Sequence, residues 1–157
     1  SDMARPGNEK FIRSGANYVS RSVARELRAT IFPPETTVFA KVGEALRQNR
    51  RRILFRETCI DNNMMAAIPD LSHVTPEFLF LILLEIDFCD LVQEGTVPSV
   101  NQAAVGSQEI YVPSLSEQRE IVARVNQAES ALESVRERRA NLKNFRQGIF
   151  GSEVASV

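Results

Sequence analysis

The residues best suited to chemistry in this chain form one basic cluster, Leu46 to Arg52, with the sequence LRQNRRR. Arginine can make bidentate hydrogen bonds to phosphate oxygens or to the edge of guanine, and glutamine and asparagine can pair in the same way with adenine. A turn that carries both kinds of group could position DNA and read it. The alternative is a solvated loop without a ligand.

The charges along the chain are strongly segregated, although the net charge is only −1. Residues 1–56 contain 12 Lys and Arg against 5 Asp and Glu, whereas residues 57–113 contain 9 Asp and Glu and no Lys or Arg. This segregation favours a basic face that contacts a polyanion. The predicted DNA-contacting residues are Lys41, Arg47, Gln48, Asn49, Arg50, Arg51, Arg52 and Arg56.

The strands that must position this cluster follow from alternating apolar residues. The run TTVFAKV at 36–42 predicts a strand that Gly43 ends, and Ile53 to Phe55 begins a second strand. Residues 36–56 are therefore expected to form a hairpin whose tip is the charged turn at 47–52. Short strands are also predicted over 64–68 and 109–112.

Helix starts are indicated by residues that cap a helix N-terminus. Thr75-Pro76-Glu77 predicts a helix from Pro76 to about Leu91, which is apolar on nearly every side and should lie in the core. Ser20 to Arg28 is expected to form a short helix, and Asn101 to cap a single turn that ends at Gly106.

A long helix is predicted after Ser114, where Ser114 and Glu117 fit a capping box. Apolar residues then alternate four and three apart, as in a coiled coil, over roughly 42 Å of helix. Arg139 and Arg146 interrupt the pattern and disfavour a tight homodimeric seam at that end. The predicted docking residues are Ile121, Val125, Ala128, Leu132, Val135, Leu142 and Ile149. The partner could be a second copy, another subunit or another helix of the same protein.

These elements predict an α+β fold: a β-rich domain with a buried helix over 1–113, a coiled-coil-type helix over 114–150 and a flexible tail over 151–157. The first domain is expected to be incomplete at its N-terminus. The longest apolar run, Phe78 to Leu84, is too short to span a membrane, and no signal peptide is visible. Two cysteines in 157 residues indicate a reducing compartment, so a cytoplasmic protein is expected.

Residues for catalysis are sparse. His73 is the single histidine and precedes the Thr75 cap, while Cys59 and Cys89 lie among apolar residues and lack metal-ligand spacing. The sequence contains no Gly-rich phosphate loop. No metal or cofactor site is predicted. A plain interaction protein that oligomerises through its helix remains the main alternative, and thiol chemistry by the cysteines and His73 is a third.

Two segments resemble a known family. Residues 95–101, GTVPSVN, and residues 110–122, IYVPSLSEQREIV, closely resemble the end of a target-recognition domain in type I restriction-modification specificity subunits. In that family a strand that ends in proline leads into an E-Q-x-x-I helix, here Glu117-Gln118 and Ile121. Residues 38–43 and 59–66 are similar to an earlier part of the same domain.

The resemblance implies a non-enzymatic DNA-recognition subunit. Such subunits carry two target-recognition domains, each reading one half of a split DNA sequence, and long helices that dock methyltransferase subunits; restriction subunits join the larger complex. S-adenosylmethionine, ATP and magnesium belong to those partners, so no cofactor is expected here. Because one recognition domain is present, the chain is expected to be a fragment or a half-subunit that pairs with a second copy or a second half-subunit.

Overall fold

The structure is a computed structural model that describes residues 2–92 and 97–151, with side chains described through Gln147. Its strands are β1 (Phe11–Ile12), β2 (Ile31–Phe32), β3 (Thr37–Ala40), β4 (Arg51–Leu54), β5 (Thr58–Cys59) and β6 (Met64–Ala67). Its helices are α1 (Arg21–Glu26), α2 (Glu44–Arg47), α3 (Pro76–Glu85), α4 (Gln102–Gly106) and α5 (Leu115–Gly151). Two 3-10 turns, Asp2–Ala4 and Phe88–Leu91, complete the described elements. The predicted α+β class, with a small sheet and a long C-terminal helix, is confirmed.

The main sheet has four strands in the order β1-β4-β3-β6. Strand β3 pairs antiparallel with both β4 and β6, and its register places Phe39 opposite Arg51. Strand β1 pairs parallel with β4, with Phe11 opposite Ile53. Strands β2 and β5 form a separate antiparallel pair. The parallel pairing brings the N-terminal segment alongside the far end of β4.

The core lies where α3 and the 3-10 turn at 88–91 cover the sheet. Its centre consists of Phe39, Leu46, Leu83, Phe88 and Val100. The rings of Phe39 and Phe88 meet edge to face with centroids 4.5 Å apart, a geometry that aromatic quadrupoles favour. The core therefore holds α2 and β3 against the chain that follows α3.

The predicted helix starts are confirmed by their capping bonds. The Thr75 hydroxyl accepts a hydrogen bond from the backbone N–H of Phe78 at 3.3 Å, and the Asn101 side chain accepts one from Ala104 at 2.7 Å. Ser20 caps α1 in the same way. Each cap satisfies a donor that the first helical turn leaves unpaired.

The predicted hairpin tip is different in the structure. Gly43, at φ 72°, ends the strand region in a conformation that favours glycine. Arg47 then belongs to α2, and Arg51 and Arg52 belong to β4 rather than to a charged turn. The predicted turn is too long because Arg51 and Arg52 are charged, and a strand is recognised in sequence by alternating apolar residues.

The predicted helix from Pro76 to Leu91 is also too long. Helix α3 ends at Glu85, where Ile86 adopts an extended backbone, and Asp87 then caps the following 3-10 turn through Cys89 N at 2.9 Å. A local side-chain bond of this kind competes with continued helix. Phe78, Phe80 and Leu83 are buried, as expected for a core helix.

No strand forms over 109–112, contrary to prediction. Ile110 is 45% exposed, Tyr111 82% and Val112 39%. Alternation of apolar residues predicts a strand only if a neighbour can pair with it, and none of the described strands lies beside this segment.

The chain divides into two compact units, Ser1–Arg119 and Glu120–Val157. The first turn of α5 belongs to the first unit because Gln118, fully buried, accepts a hydrogen bond from Thr75 N and donates to the carbonyls of His73 and Pro113, each at 2.8 Å. Glu117 completes the predicted capping box by accepting from Ser114 N at 3.0 Å. The two residues of the E-Q pair therefore have separate roles: one caps α5 and the other ties it to α3.

The flexible tail predicted over 151–157 begins at the last residue of α5, and its remaining residues lie outside those described. Within the described ranges, no helix combines the length and the apolar character needed to cross a membrane.

Candidate nucleic-acid interface

The turn between α2 and β4 carries part of the predicted basic cluster. Arg47 and Gln48 are exposed, and Arg50 is half-buried. The only carboxylate that forms an ion pair with Arg47 among the described residues is Glu44, at a loose 3.9 Å with both side chains largely exposed. An exposed ion pair of this kind contributes little free energy, so the Arg47 guanidinium can leave Glu44 and bind a phosphate instead.

Arg51 is buried and does not lie on the exposed surface where the sequence predicted it to contact DNA. The residue is 1% exposed. Its Nε donates to the Leu83 carbonyl and one Nη to the Ile86 carbonyl, both at 2.9 Å. Its guanidinium carbon lies 3.7 Å from the centroid of the Phe88 ring. Burial lowers the pKa of Arg51 to about 10, partly opposed by the charge of Asp87. The side chain thus binds the last carbonyls of α3 from within the core.

The side chains of Asn49 and Arg52 also form hydrogen bonds with other groups of the protein. The Asn49 side-chain oxygen accepts from Arg51 at 2.8 Å and from Phe88 N at 3.3 Å, which occupies the acceptor that adenine pairing requires. Arg52 is half-buried and donates to the Arg51 carbonyl at 2.6 Å. Burial is the main cause of the lowered pKa of Arg52, and neighbouring Arg50 adds to it.

The two flanking basic residues lie at opposite ends of the sheet. Lys41 follows β3 at the end where the α2–β4 turn lies, whereas Arg56 follows the other end of β4. The predicted set is therefore divided between two places, and the structure does not bring Arg56 to the turn.

Near Arg56 the structure assembles basic residues that were not selected from sequence. A cleft of about 330 Å³ is lined by the segment 12–21 on one side and 56–59 on the other. Arg13, Arg21 and Arg56 line it. The basic N-terminal segment was visible in the sequence, but its place here depends on the parallel pairing of β1 with β4, which no local pattern predicts.

Helix α5 exposes most of its predicted docking residues. Leu132, Val135 and Leu142 are 50%, 59% and 64% exposed, and Phe145, beside the predicted seam, is 66% exposed. Ile121 and Ala128 are exposed, Val125 is half-buried, and the Ile149 side chain lies outside those described.

The polar turn at 70–73 does not form a catalytic triad. The Ser72 hydroxyl and an Asp70 carboxylate oxygen both lie near the same nitrogen of His73, Nδ1, at 2.7 and 3.1 Å. A serine–histidine–aspartate triad requires the two partners on different ring nitrogens. Hydrogen bonds from Ser72, followed by His73, lower the pKa of Asp70, as expected for a carboxylate that organises a turn.

The cysteines offer no support for thiol chemistry. Burial, followed by Asp87, raises the pKa of exposed Cys89, which opposes the thiolate that a nucleophile needs. Cys59 is half-buried in the cleft wall. No three His, Cys, Asp or Glu residues converge as metal ligands in the part of the chain that the structure describes.

Comparison with known proteins identifies the family of the chain. No curated protein matches the chain. Among solved structures, it is similar to the HsdS subunit from Thermoanaerobacter tengcongensis, with 24% sequence identity and a TM-score of 0.66 over 83% of this chain and 35% of that one. At this identity the likeness shows the fold alone. The family model described as type I restriction modification DNA specificity domain matches residues 2–144. The chain belongs to the family of type I restriction-modification DNA specificity domains.

Proposed function

We propose that this chain reads part of a DNA target for a type I restriction-modification complex and performs no catalysis itself. The main support is that the family match over residues 2–144 coincides with a basic block, residues 1–56, and an acidic one, 57–113. Cofactor chemistry would then belong to methyltransferase and restriction subunits that the domain directs to its target.

Two basic places can contact DNA in this proposal. The first is the α2–β4 turn with Arg47, Gln48 and Arg50, supported by Lys41. The second is the cleft with Arg56. They lie at opposite ends of the same strand, β4. Guanidinium groups at both ends of a strand can contact phosphates that are spaced along a duplex.

Helix α5 is proposed to dock a helical partner. A run of exposed Leu, Val and Phe side chains on a helix of 37 residues is typical of a surface that a second helix covers. A second copy of this chain or a second half-subunit would supply the other half of the DNA site, and methyltransferase subunits would bind to the assembled helices.

The DNA proposal can be tested by the salt dependence of duplex binding, measured by fluorescence anisotropy at several salt concentrations. The logarithm of the affinity should fall linearly with the logarithm of salt, with a slope of about −0.9 per phosphate neutralised. Arg47→Ala combined with Arg50→Ala should reduce the slope by about 2. Arg136→Ala combined with Arg138→Ala, on exposed positions of α5, serves as the matched control and should leave it unchanged.

Competition separates this function from the interaction-module alternative. A recognition domain selects a preferred sequence from a pool of random duplexes, even with excess non-specific DNA. A module that attracts polyanions generically would be displaced equally by heparin and by any duplex, and that result would reject the proposal.

A further inference from the structure

The cleft beside Arg56 contains two basic side chains whose charge the described carboxylates do not neutralise. Two acidic residues line this cleft. The Asp2 carboxylate accepts a hydrogen bond from Ala16 N at 3.0 Å and forms an ion pair with Arg5. The Glu57 carboxylate accepts a hydrogen bond from the Nε of Arg21 at 3.1 Å. The described ion pairs include neither Arg13 nor Arg56. The cleft therefore presents a net positive charge to solvent.

Arg13 makes cation–π contacts with two aromatic rings. Its guanidinium carbon lies 4.3 Å from the centroid of the Phe55 ring and 5.3 Å from that of Phe11. Both Arg13 and Phe55 are exposed, so this is a surface stack rather than a core contact. Stacking on the ring face leaves the N–H edges of the guanidinium available to a ligand.

The backbone that carries Arg13 is fixed as well. Asn8 is fully buried, and its side-chain oxygen accepts from Arg13 N at 2.9 Å while its amide donates to the Ser14 carbonyl at 2.8 Å. The parallel pairing of Ile12 with Leu54 sets Arg13 beside Phe55. The Arg13 backbone is thus fixed by Asn8 and β4, and its guanidinium lies over the Phe55 ring before any ligand arrives.

We propose that Arg13 is a base-reading residue that recognises a guanine edge, with Arg56 contacting a neighbouring phosphate; this rests on the proposed DNA-recognition function. A phosphate contact needs charge and tolerates a mobile side chain. Bidentate pairing with guanine O6 and N7 needs a planar donor pair whose orientation is restricted, and contact with the Phe55 ring restricts the Arg13 guanidinium. Arg51 and Asn49, whose polar groups bind other parts of the protein, are excluded from this role.

The test compares Arg13→Lys with the unchanged chain in selection from a random duplex pool, followed by affinity measurement on the preferred site and on its single-base variants. Lysine retains the charge but loses the planar donor pair. Discrimination for guanine at one position should fall on the order of 10- to 100-fold, while the salt slope stays the same. Arg138→Lys, the same substitution at an exposed position of α5, should change neither quantity. Arg56→Ala should weaken all sequences alike and reduce the slope by about 0.9.

The outcomes separate the two proposals. If the unchanged chain shows no sequence preference, the proposed function fails and this inference fails with it. If the unchanged chain selects a sequence and Arg13→Lys selects the same one equally well, only the inference is overturned. Because Arg13 is exposed, the thermal unfolding midpoint of the variant should match that of the unchanged chain, which excludes misfolding as the cause.

Discussion

Arg51 shows that the type of a residue and its surroundings can indicate different roles. Four arginines within six residues, 47–52, indicate a polyanion-binding turn. One of them is instead buried, where it binds the carbonyls of Leu83 and Ile86 that α3 leaves without intrahelical partners. The charge remains because these acceptors and the Phe88 ring compensate part of its desolvation.

Replacing Arg51 with Ala should therefore act on stability. The variant leaves the Leu83 and Ile86 carbonyls without their donor, removes one of the two donors to the Asn49 oxygen and creates a cavity, so the free energy of unfolding should fall by about 3–5 kcal/mol. Urea denaturation would measure it. Arg47→Ala, on the exposed side of the same segment, is the control and should change stability by less than about 0.5 kcal/mol. Equal small effects at both positions would show that Arg51 is not a structural residue.

Gln118 is the second residue whose role follows from its contacts. Its side-chain oxygen accepts a hydrogen bond from Thr75 N, at the start of α3, and its side-chain nitrogen donates to the His73 and Pro113 carbonyls. Gln118→Ala should lower the free energy of unfolding by about 1–3 kcal/mol because these buried groups lose their partners. Exposed Gln127→Ala is the control.

Gln118→Glu adds a pH dependence that a general packing defect would not produce. Burial raises the pKa of the introduced carboxyl in the folded state. Its protonated form can donate one hydrogen bond to a carbonyl, and its charged form none. The variant should therefore be closest to the unchanged chain at acid pH and lose stability as the pH rises through that raised pKa. A constant difference between pH 5 and pH 8 would contradict this account.

At the scale of the element, α5 is the clearest case for a missing partner. Leu132, Val135 and Leu142, spaced three and seven residues apart along α5, are all exposed. Leu132→Asp combined with Val135→Asp would place two carboxylates in a helix–helix contact, where unpaired charge is costly. Association should weaken by at least about 2 kcal/mol, or roughly 30-fold.

Sedimentation velocity over a range of concentrations, alone and with methyltransferase subunits, measures that association. Ser130→Asp combined with Ser134→Asp adds the same charge on another face of α5 and controls for it. If the Leu132 and Val135 variant assembles like the unchanged chain, these residues do not form a docking surface.

The whole molecule combines a basic segment, an acidic segment and a helix of nearly balanced charge. Residues 114–157 carry 7 basic and 6 acidic residues, so this part of the chain contributes little to the net charge. In the proposed function, residues 1–56 would supply most of the attraction to DNA within the recognition domain, because they carry 12 basic and 5 acidic residues. This division explains why a net charge of −1 is compatible with the proposed function: local potential, and not net charge, governs approach to DNA.

The sequence by itself determined what depends on neighbours along the chain. The caps Thr75, Asn101 and Ser114 were predicted and confirmed because each bonds within its own first helical turn. Strands β3 and β6 and the extended length of α5 followed from periodicity for the same reason. These features need no knowledge of the rest of the fold.

Only the tertiary structure decided which basic residues face solvent and which bind protein. The contact of Arg51 with α3 joins residues 32 positions apart in sequence, and that of Arg13 with Phe55 joins residues 42 apart. The absence of a strand at 109–112 likewise depends on which chain segment lies alongside. A side chain's chemistry is local, but its partners depend on strand register and packing across the sheet, which local patterns do not encode.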